Sequence, residues 1–364
     1  MTDPRERRIT ALRASLAAAG LDALLVTSLP NIRYLSGFSG SSALLVVTAR
    51  AALLLTDFRY AVQVKHEVGD LARVLIEPTS LWTRLFAALP ELGAMDSIGF
   101  ESAHLPHADV QHLLESQKDA PRRAWRPAMN LVEALREQKD AIEVACIRDA
   151  VRIAESALGA TIERVRAGMT EFEICGTLEG QLRSAGSESH PFETIVASGE
   201  RAALPHAQSS ARAVRAGDFL LIDFGAVSGG YCSDITRTFV VGKATDEQRA
   251  VFDVVRESNG SASGAVRAGM RGKDADAVAR DYIGRRGWGE EFGHSLGHGI
   301  GLEVHEAPRL SRTSEAPLPV DSVVTIEPGI YRPGWGGVRI EDDVLLTAHG
   351  PQLLTSFSRE LIEL

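Results

Sequence analysis

The sequence predicts two domains: an α/β domain over residues 1–127, then a larger α+β domain over 128–364. Three observations lead there. The 364 residues exceed what one hydrophobic core usually serves. The stretch at 118–127, KDAPRRAWRP, is rich in charge and proline and carries no periodic pattern, which marks a boundary. Before it, short apolar runs alternate with a helical pattern; after it, helices and strands are segregated along the chain.

In the first domain the apolar runs at 21–26, 43–47, 51–55 and 74–76 are strand-sized, and 81–89 has helical spacing. The second domain opens with a helix predicted over 141–166, where Ile142, Cys146, Ala150, Ile153 and Ala157 recur at steps of three and four. Further helices are expected over 171–185, 245–266 and 274–285. Strands are expected over 192–197, 219–224, 231–241, 323–326 and 338–346.

Composition narrows the function classes. With 45% hydrophobic and 24% charged residues the chain reads as an ordinary folded enzyme. A net charge of −9 and a pI near 5.6 leave no basic face for a nucleic-acid backbone. Three widely spaced cysteines, Cys146, Cys175 and Cys232, form no disulfide framework, which fits a reducing, cytoplasmic setting. The first twenty residues mix acids and bases, and no apolar run exceeds strand length, so neither a secretory leader nor a membrane span is expected.

Three segments carry chemistry. In the first, Asp223 and Asp234 flank Ser228-Gly229-Gly230, a hairpin signal. A loop at Ser228-Gly229 puts the two aspartates directly opposite each other; a loop at Gly229-Gly230 shifts the pairing but keeps them on one face. Two carboxylates about 4 Å apart near a protein surface repel by about 4 kcal/mol, so the pair calls for a cation or a shared proton. Taken alone, the same residues read equally well as a turn with solvated acids. In the second segment His294, His298 and His305 fall within twelve positions among glycines, the composition of a site in which backbone and ligand approach closely. In the third, Glu327 and Glu341 end or interrupt apolar runs, where an unpaired charge is costly. Asp342 and Asp343 read as solvated neighbours.

The ordered set Asp223, Asp234, His298, Glu327, Glu341 resembles the pita-bread metallopeptidases, the family of prolidase, aminopeptidase P and methionine aminopeptidase. The first domain resembles the N-terminal domain of prolidases, aminopeptidases P and creatinases. The resemblance implies that these five residues hold two divalent ions, with Asp234 and Glu341 bridging. One nitrogen among oxygen ligands suits Mn²⁺ first, with Co²⁺ or Zn²⁺ as substitutes. It further implies Glu327 as proton carrier and His206 and His305 as donors to the tetrahedral intermediate. Phe192, Ile195 and His294 match positions lining a proline pocket, although the first two also read as plain core. Arg309 matches an arginine of archaeal-type prolidases that would hold a dipeptide's carboxylate, or else is a surface arginine. Asp57, Arg59 and Tyr60 resemble an N-domain motif that implies a homodimer. The expected substrate is an Xaa-Pro dipeptide, with longer Xaa-Pro peptides, the aminopeptidase P reaction, as the alternative. A metal-free creatinase and a non-catalytic peptide-binding module would both be expected to lose ligands or catalytic histidines, and this chain keeps them.

Overall fold

A computed structural model describes residues 3–116, 118 and 123–364, and the chain forms two compact units, Met1–Arg136 and Glu137–Leu364. The division falls after Arg136 rather than after residue 127. Residues 124–127 of the expected breaker belong to a strand, Ala124–Ala128, that pairs with the one before it, Trp125 opposite Ile98, within the first unit. Residues 119–122 of that breaker lie outside the described residues.

The first unit is built on β1 (Ala23–Val26), β2 (Ala43–Thr48), β3 (Ala52–Asp57), β4 (Arg73–Glu77), β5 (Ser97–Glu101) and β6 (Ala124–Ala128), in the order β4-β3-β2-β1-β5-β6. The β1–β2–β3 meander is antiparallel and the outer pairs are parallel. Helices α1 (Pro4–Ala18), α2 (Leu29–Ser36), α3 (Gln63–Val68), α4 (Leu81–Ala88), α5 (His107–Ser116) and α6 (Glu133–Arg136) complete it. β1 and β2 are buried along their whole length, as unbroken apolar runs require.

The second unit begins with α7 (Ala141–Ile162) and α8 (Glu171–Ser184), followed later by α9 (Asp246–Ala265) and α10 (Gly272–Arg285). Three of these four helices start with a reciprocal capping box: Asp140 with Glu143, Thr170 with Glu173, Thr245 with Gln248. Each satisfies amide donors that the first turn cannot. The strands are β7 (Ile195–Ser198), β8 (Phe219–Phe224), β9 (Val227–Ser228), β10 (Tyr231–Cys232), β11 (Ile235–Val240), β12 (Gly297–Gly299), β13 (Glu306–Leu310), β14 (Ser322–Ile326), β15 (Gly329–Arg332), β16 (Gly336–Arg339), β17 (Asp342–Thr347) and β18 (Gly350–Leu353). They form the antiparallel sheets β11-β8-β7 and β13-β12-β14-β17-β18, with the hairpins β9–β10 and β15–β16 beside them. One core packs Ile147, Ala154 and Leu158 of α7 and Leu178 of α8 against Leu220 and Ile222 of β8. The other packs α9 and α10 against Leu221, Val324, Ile326 and Val344.

Two expected strands are interrupted. The run 231–241 divides into β10 and β11 around Ser233-Asp234, and 338–346 divides into β16 and β17 around Ile340-Glu341. The run 192–197 forms a strand only from Ile195.

Candidate active site

Of the two hairpin loops the sequence allows, the chain forms Gly229-Gly230, with φ of 58° and 83°, the doubly positive conformation of a tight β-turn. That register puts Asp223 opposite Thr236 on β8 and β11, and Asp234 immediately before the start of β11. His298 sits on β12 between two glycines whose space is already taken. A Cβ on Gly297 would lie 2.0 Å from the Thr325 carbonyl oxygen, and one on Gly299 2.1 Å from that of Ala307. Only glycine lets β12 lie this close to both neighbours. Glu327 follows β14, and Glu341 occupies the break between β16 and β17.

These elements enclose a cavity of about 420 Å³. Every candidate metal-binding, catalytic and substrate-binding residue of the second domain lines it: Asp223, Asp234, His298, Glu327, Glu341, His206, His305, Phe192, Ile195, His294 and Arg309. Ligand atoms of Asp234, His298 and Glu341 lie within 4.8 Å of one another, and all three residues are buried. Glu327 is adjacent, its Oε1 3.5 Å from His298 Nε2. His206, His305 and Arg309 are exposed at the rim, while Phe192 and Ile195 are half-buried. The N-domain residues Asp57, Arg59 and Tyr60 lie in the first unit, where the Asp57 carboxylate accepts from Arg59 Nη2 at 2.8 Å beside the exposed Phe58.

The electrostatics of the cavity are those of a cluster short of positive charge. Burial, then the charges of Glu341, Asp223 and Glu327, hold Asp234 well above the usual carboxylate range. Burial and Glu327 do the same to Glu341, and burial, partly opposed by the Arg339 guanidinium, pushes Glu327 up to about 8. Burial also pushes His298 and His294 down to about 4, so both are neutral at pH 7. Because the Gly299 carbonyl can only accept, His298 Nδ1 carries the proton and donates to it at 3.1 Å. The lone pair of Nε2 therefore faces Asp234 Oδ2 at 3.8 Å and Glu327 Oε1 at 3.5 Å. One oxygen each of Asp223 and Asp234, Oδ1, is buried without a hydrogen-bond partner. A lone pair facing carboxylates, with orphaned buried acceptors beside it, fits a divalent cation better than any arrangement of protons.

The sequence pattern does not single out Arg339. Buried inside an apolar run, it donates from Nη2 to Asp223 Oδ2 at 2.5 Å, from Nε to Thr236 Oγ1 at 3.0 Å and from Nη1 to Tyr331 Oη at 2.8 Å. Tyr331 in turn donates to His294 Nε2 at 2.8 Å, which fixes His294 as the Nδ1–H tautomer bonded to the Ser295 carbonyl. Asp342 and Asp343 are fully buried, not solvated. Asp342 is paired with Arg237 and Arg359, both at 2.8 Å, and Asp343 accepts the Asp234 amide at 3.1 Å. The signal was present: two acids at adjacent positions of a strand cannot both face solvent when the strand is covered on both sides.

Comparison with known proteins follows the same division. The model of metallopeptidase family M24 matches residues 145–348, and that of the creatinase/prolidase N-terminal domain matches 8–138. The chain is 37% identical to an Xaa-Pro dipeptidase of Pyrococcus horikoshii, over 94% of this chain and 95% of the other. An Xaa-Pro dipeptidase structure from Bacillus anthracis superposes with a TM-score of 0.94 at 38% identity, covering 99% of this chain and all (100%) of that one. An X-Pro aminopeptidase structure from Thermotoga maritima gives 0.90 at 37% identity, covering 98% and 99%.

Proposed function

The chain belongs to metallopeptidase family M24, and from that premise we propose that it hydrolyses the Xaa-Pro bond of dipeptides with two divalent ions, Mn²⁺ first among them. The observation that carries the metal reading is the neutral His298 lone pair set among buried, partly orphaned carboxylates. Asp223, Asp234, His298, Glu327 and Glu341 would hold the ions. When bound, the ions supply a polarised scissile carbonyl and a water acidic enough to lose its proton near neutrality.

The chain's own residues account for the remaining work. Glu327, whose Oε1 lies 3.5 Å from His298 Nε2 in the cavity, takes the proton from the attacking water and returns it to the proline nitrogen as the bond breaks. His206 and His305, at the rim, donate hydrogen bonds to the oxygen that gains charge in the tetrahedral intermediate. Phe192, Ile195 and the His294 ring form an apolar wall for the pyrrolidine. Both His294 nitrogens are already bonded within the protein, which leaves its ring face for packing. Arg309 lies directly across β12–β13 from His298 and provides a two-pronged donor for a free carboxylate.

A tripeptide presents an amide where a dipeptide presents that carboxylate, so the arginine favours the dipeptide. The aminopeptidase reading keeps a specific support, the likeness to the Thermotoga maritima X-Pro aminopeptidase, with a TM-score of 0.90 against 0.94 for the Bacillus anthracis dipeptidase. We place the enzyme in the cytoplasm as a homodimer, the exposed Phe58 and Val62 beside Asp57 and Arg59 marking the surface a second copy would cover. No described helix is long and apolar enough to cross a membrane. The deciding experiment is hydrolysis of Ala-Pro beside Ala-Pro-Ala by chelator-stripped protein reconstituted with Mn²⁺. Cleavage confined to Ala-Pro supports the dipeptidase; comparable tripeptide cleavage replaces it with the aminopeptidase, and inactivity on both refutes the Xaa-Pro reading.

A further inference from the structure

The first turn of α8 carries a glutamate that is wholly buried, Glu171 at 0% exposure. A carboxylate offers about four acceptor positions, and four donors meet this one. Oε1 accepts the Ser198 amide at 2.8 Å and the Ser198 hydroxyl at 2.8 Å. Oε2 accepts Arg201 Nε at 3.1 Å and the Ser210 hydroxyl at 2.6 Å. Occupied lone pairs and the positive end of the helix dipole make such a burial tolerable.

These donors lie at the two ends of one loop. Ser198 ends β7, Arg201 stands in the 3₁₀ turn Gly199–Ala203, and Ser210 lies beyond His206 on the far side. Between them run Pro205, His206, Ala207 and Gln208, all of which line the cavity, whereas Glu171, Ser198, Arg201 and Ser210 stand outside its lining. Arg201 closes the loop a second time, donating from Nη2 to the Gln208 carbonyl. The Ser198 hydroxyl also receives Arg212 Nη1 at 2.6 Å, and that nitrogen donates to Asp218 Oδ2 at 2.6 Å, just before β8 and its Asp223. His206 is exposed, so where its ring stands follows from the backbone that carries it. Further holds on the loop are Arg339 Nη1 on the Pro205 carbonyl at 3.2 Å and the Ser209 hydroxyl, which accepts the Val196 amide at 3.2 Å. Losing the Glu171 bonds should therefore loosen the loop rather than unfold it.

We propose that Glu171 is a positioning residue, whose buried carboxylate pins both ends of the 198–210 loop and so sets His206 at the cavity rim. This deepens the Xaa-Pro reading, in which His206 donates to the tetrahedral intermediate, and rests on it for its kinetic consequence but not for its structural one. Glutamine at 171 has the same shape and the wrong polarity. Its one carbonyl oxygen can serve the Ser198 end or the Arg201 and Ser210 end, and its NH₂ group then faces the other. The serine hydroxyls can turn to accept, but the Ser198 amide and Arg201 Nε can only donate. Either orientation therefore sets donor against donor at one end of the loop.

The test uses full-length Mn²⁺-loaded protein as wild type, Glu171→Gln, His206→Ala and the double variant, compared by amide hydrogen exchange and by kinetics on Ala-Pro. In Glu171→Gln we expect faster exchange confined to peptides spanning 198–210, an unchanged metal content, and kcat/KM lowered by about tenfold to 10²-fold, mostly in kcat, as misplacement of a transition-state donor produces. If Glu171 acts through His206, the same substitution made in His206→Ala lowers kcat/KM by less than about threefold, whereas a general loss of stability would act alike in both backgrounds. A loss of about threefold or more in His206→Ala, exchange at 198–210 equal to wild type, or faster exchange spread over the second unit overturns the proposal. Should Glu171→Gln fail to fold, Arg201→Met takes its place in the same comparison, since it removes one donor to this carboxylate and the bond to the Gln208 carbonyl while leaving Glu171 in place. The exchange measurement needs no substrate, so a wild-type protein inactive on Ala-Pro would refute the Xaa-Pro reading, and exchange alone would then decide whether Glu171 holds the loop.

Discussion

Arg339→Met removes the guanidinium bonded to the Asp223 carboxylate and keeps nearly all of the side chain's volume. The structure sets the size of the effect. Arg339 is 3% exposed and donates to Asp223, Thr236, Tyr331 and the Pro205 carbonyl, so its loss strands an acceptor at each point. Breaking a buried pair from one side typically costs about 3–5 kcal/mol. For a unit of this size each kcal/mol moves Tm by about 2–4 °C, so chelated protein should melt about 6–20 °C lower than wild type. With Mn²⁺ bound, Asp223 gains a second source of positive charge and the deficit should shrink. Differential scanning calorimetry of both proteins, with and without metal, measures the four midpoints. Arg339→Lys, which keeps charge but loses the fork, should fall between. A deficit below about 2 °C in the chelated protein, or one that Mn²⁺ leaves unchanged, refutes the argument that Arg339 compensates this cluster.

Two further outcomes follow from the same charges. Glu327→Gln should lower kcat on Ala-Pro by about 10²–10⁴-fold at saturating Mn²⁺ with little change in KM, and a loss under about tenfold would remove Glu327 as the proton carrier. The chelated protein should also lose stability as pH rises. Glu327 is held at about 8 against its ordinary 4.5, with Asp234 and Glu341 raised in the same direction, so its contribution is fully present below 4.5 and is lost as pH climbs through about 8. His294 and His298 act in the opposite sense, since their values fall from 6.5 to about 4 and their contribution is lost as pH drops through that interval. Melting curves from pH 6.5 upward therefore isolate the carboxylates; Tm should fall toward about pH 9 without metal and stay nearly level with Mn²⁺, and parallel curves would contradict the cluster's role.

Much of this site is legible in the residues themselves, because aspartate, glutamate and histidine placed in apolar runs or among glycines have few inexpensive explanations. The hairpin glycines mark the turn and leave two registers, of which the chain takes the one closed by Gly229-Gly230, and the helix starts expected at 141, 171 and 245 lie within a residue of the observed ones. Local pattern fails at the breaks in the strands. Asp234 and Glu341 sit in gaps that the apolar periodicity runs straight through, because the residues on both sides are buried whether or not the strand continues. Arg339 and Asp342 are hidden for a related reason. Their partners, Asp223 and Arg237, are more than a hundred positions away in sequence, and no local pattern encodes a pairing at that distance. Reading 118–127 as a breaker overlooks β6, because proline and charge suit an edge strand as well as a linker, and the division between the units falls later, after Arg136.

The central claim is that Asp223, Asp234, His298, Glu327 and Glu341 together hold two divalent ions. Anomalous diffraction from crystals of the Mn²⁺-loaded protein, recorded on both sides of the manganese absorption edge, tests it most directly. Two manganese peaks are expected in the cavity, bounded by these five side chains, with Arg339 still on Asp223. A single peak, or manganese bound away from the five residues, would contradict it.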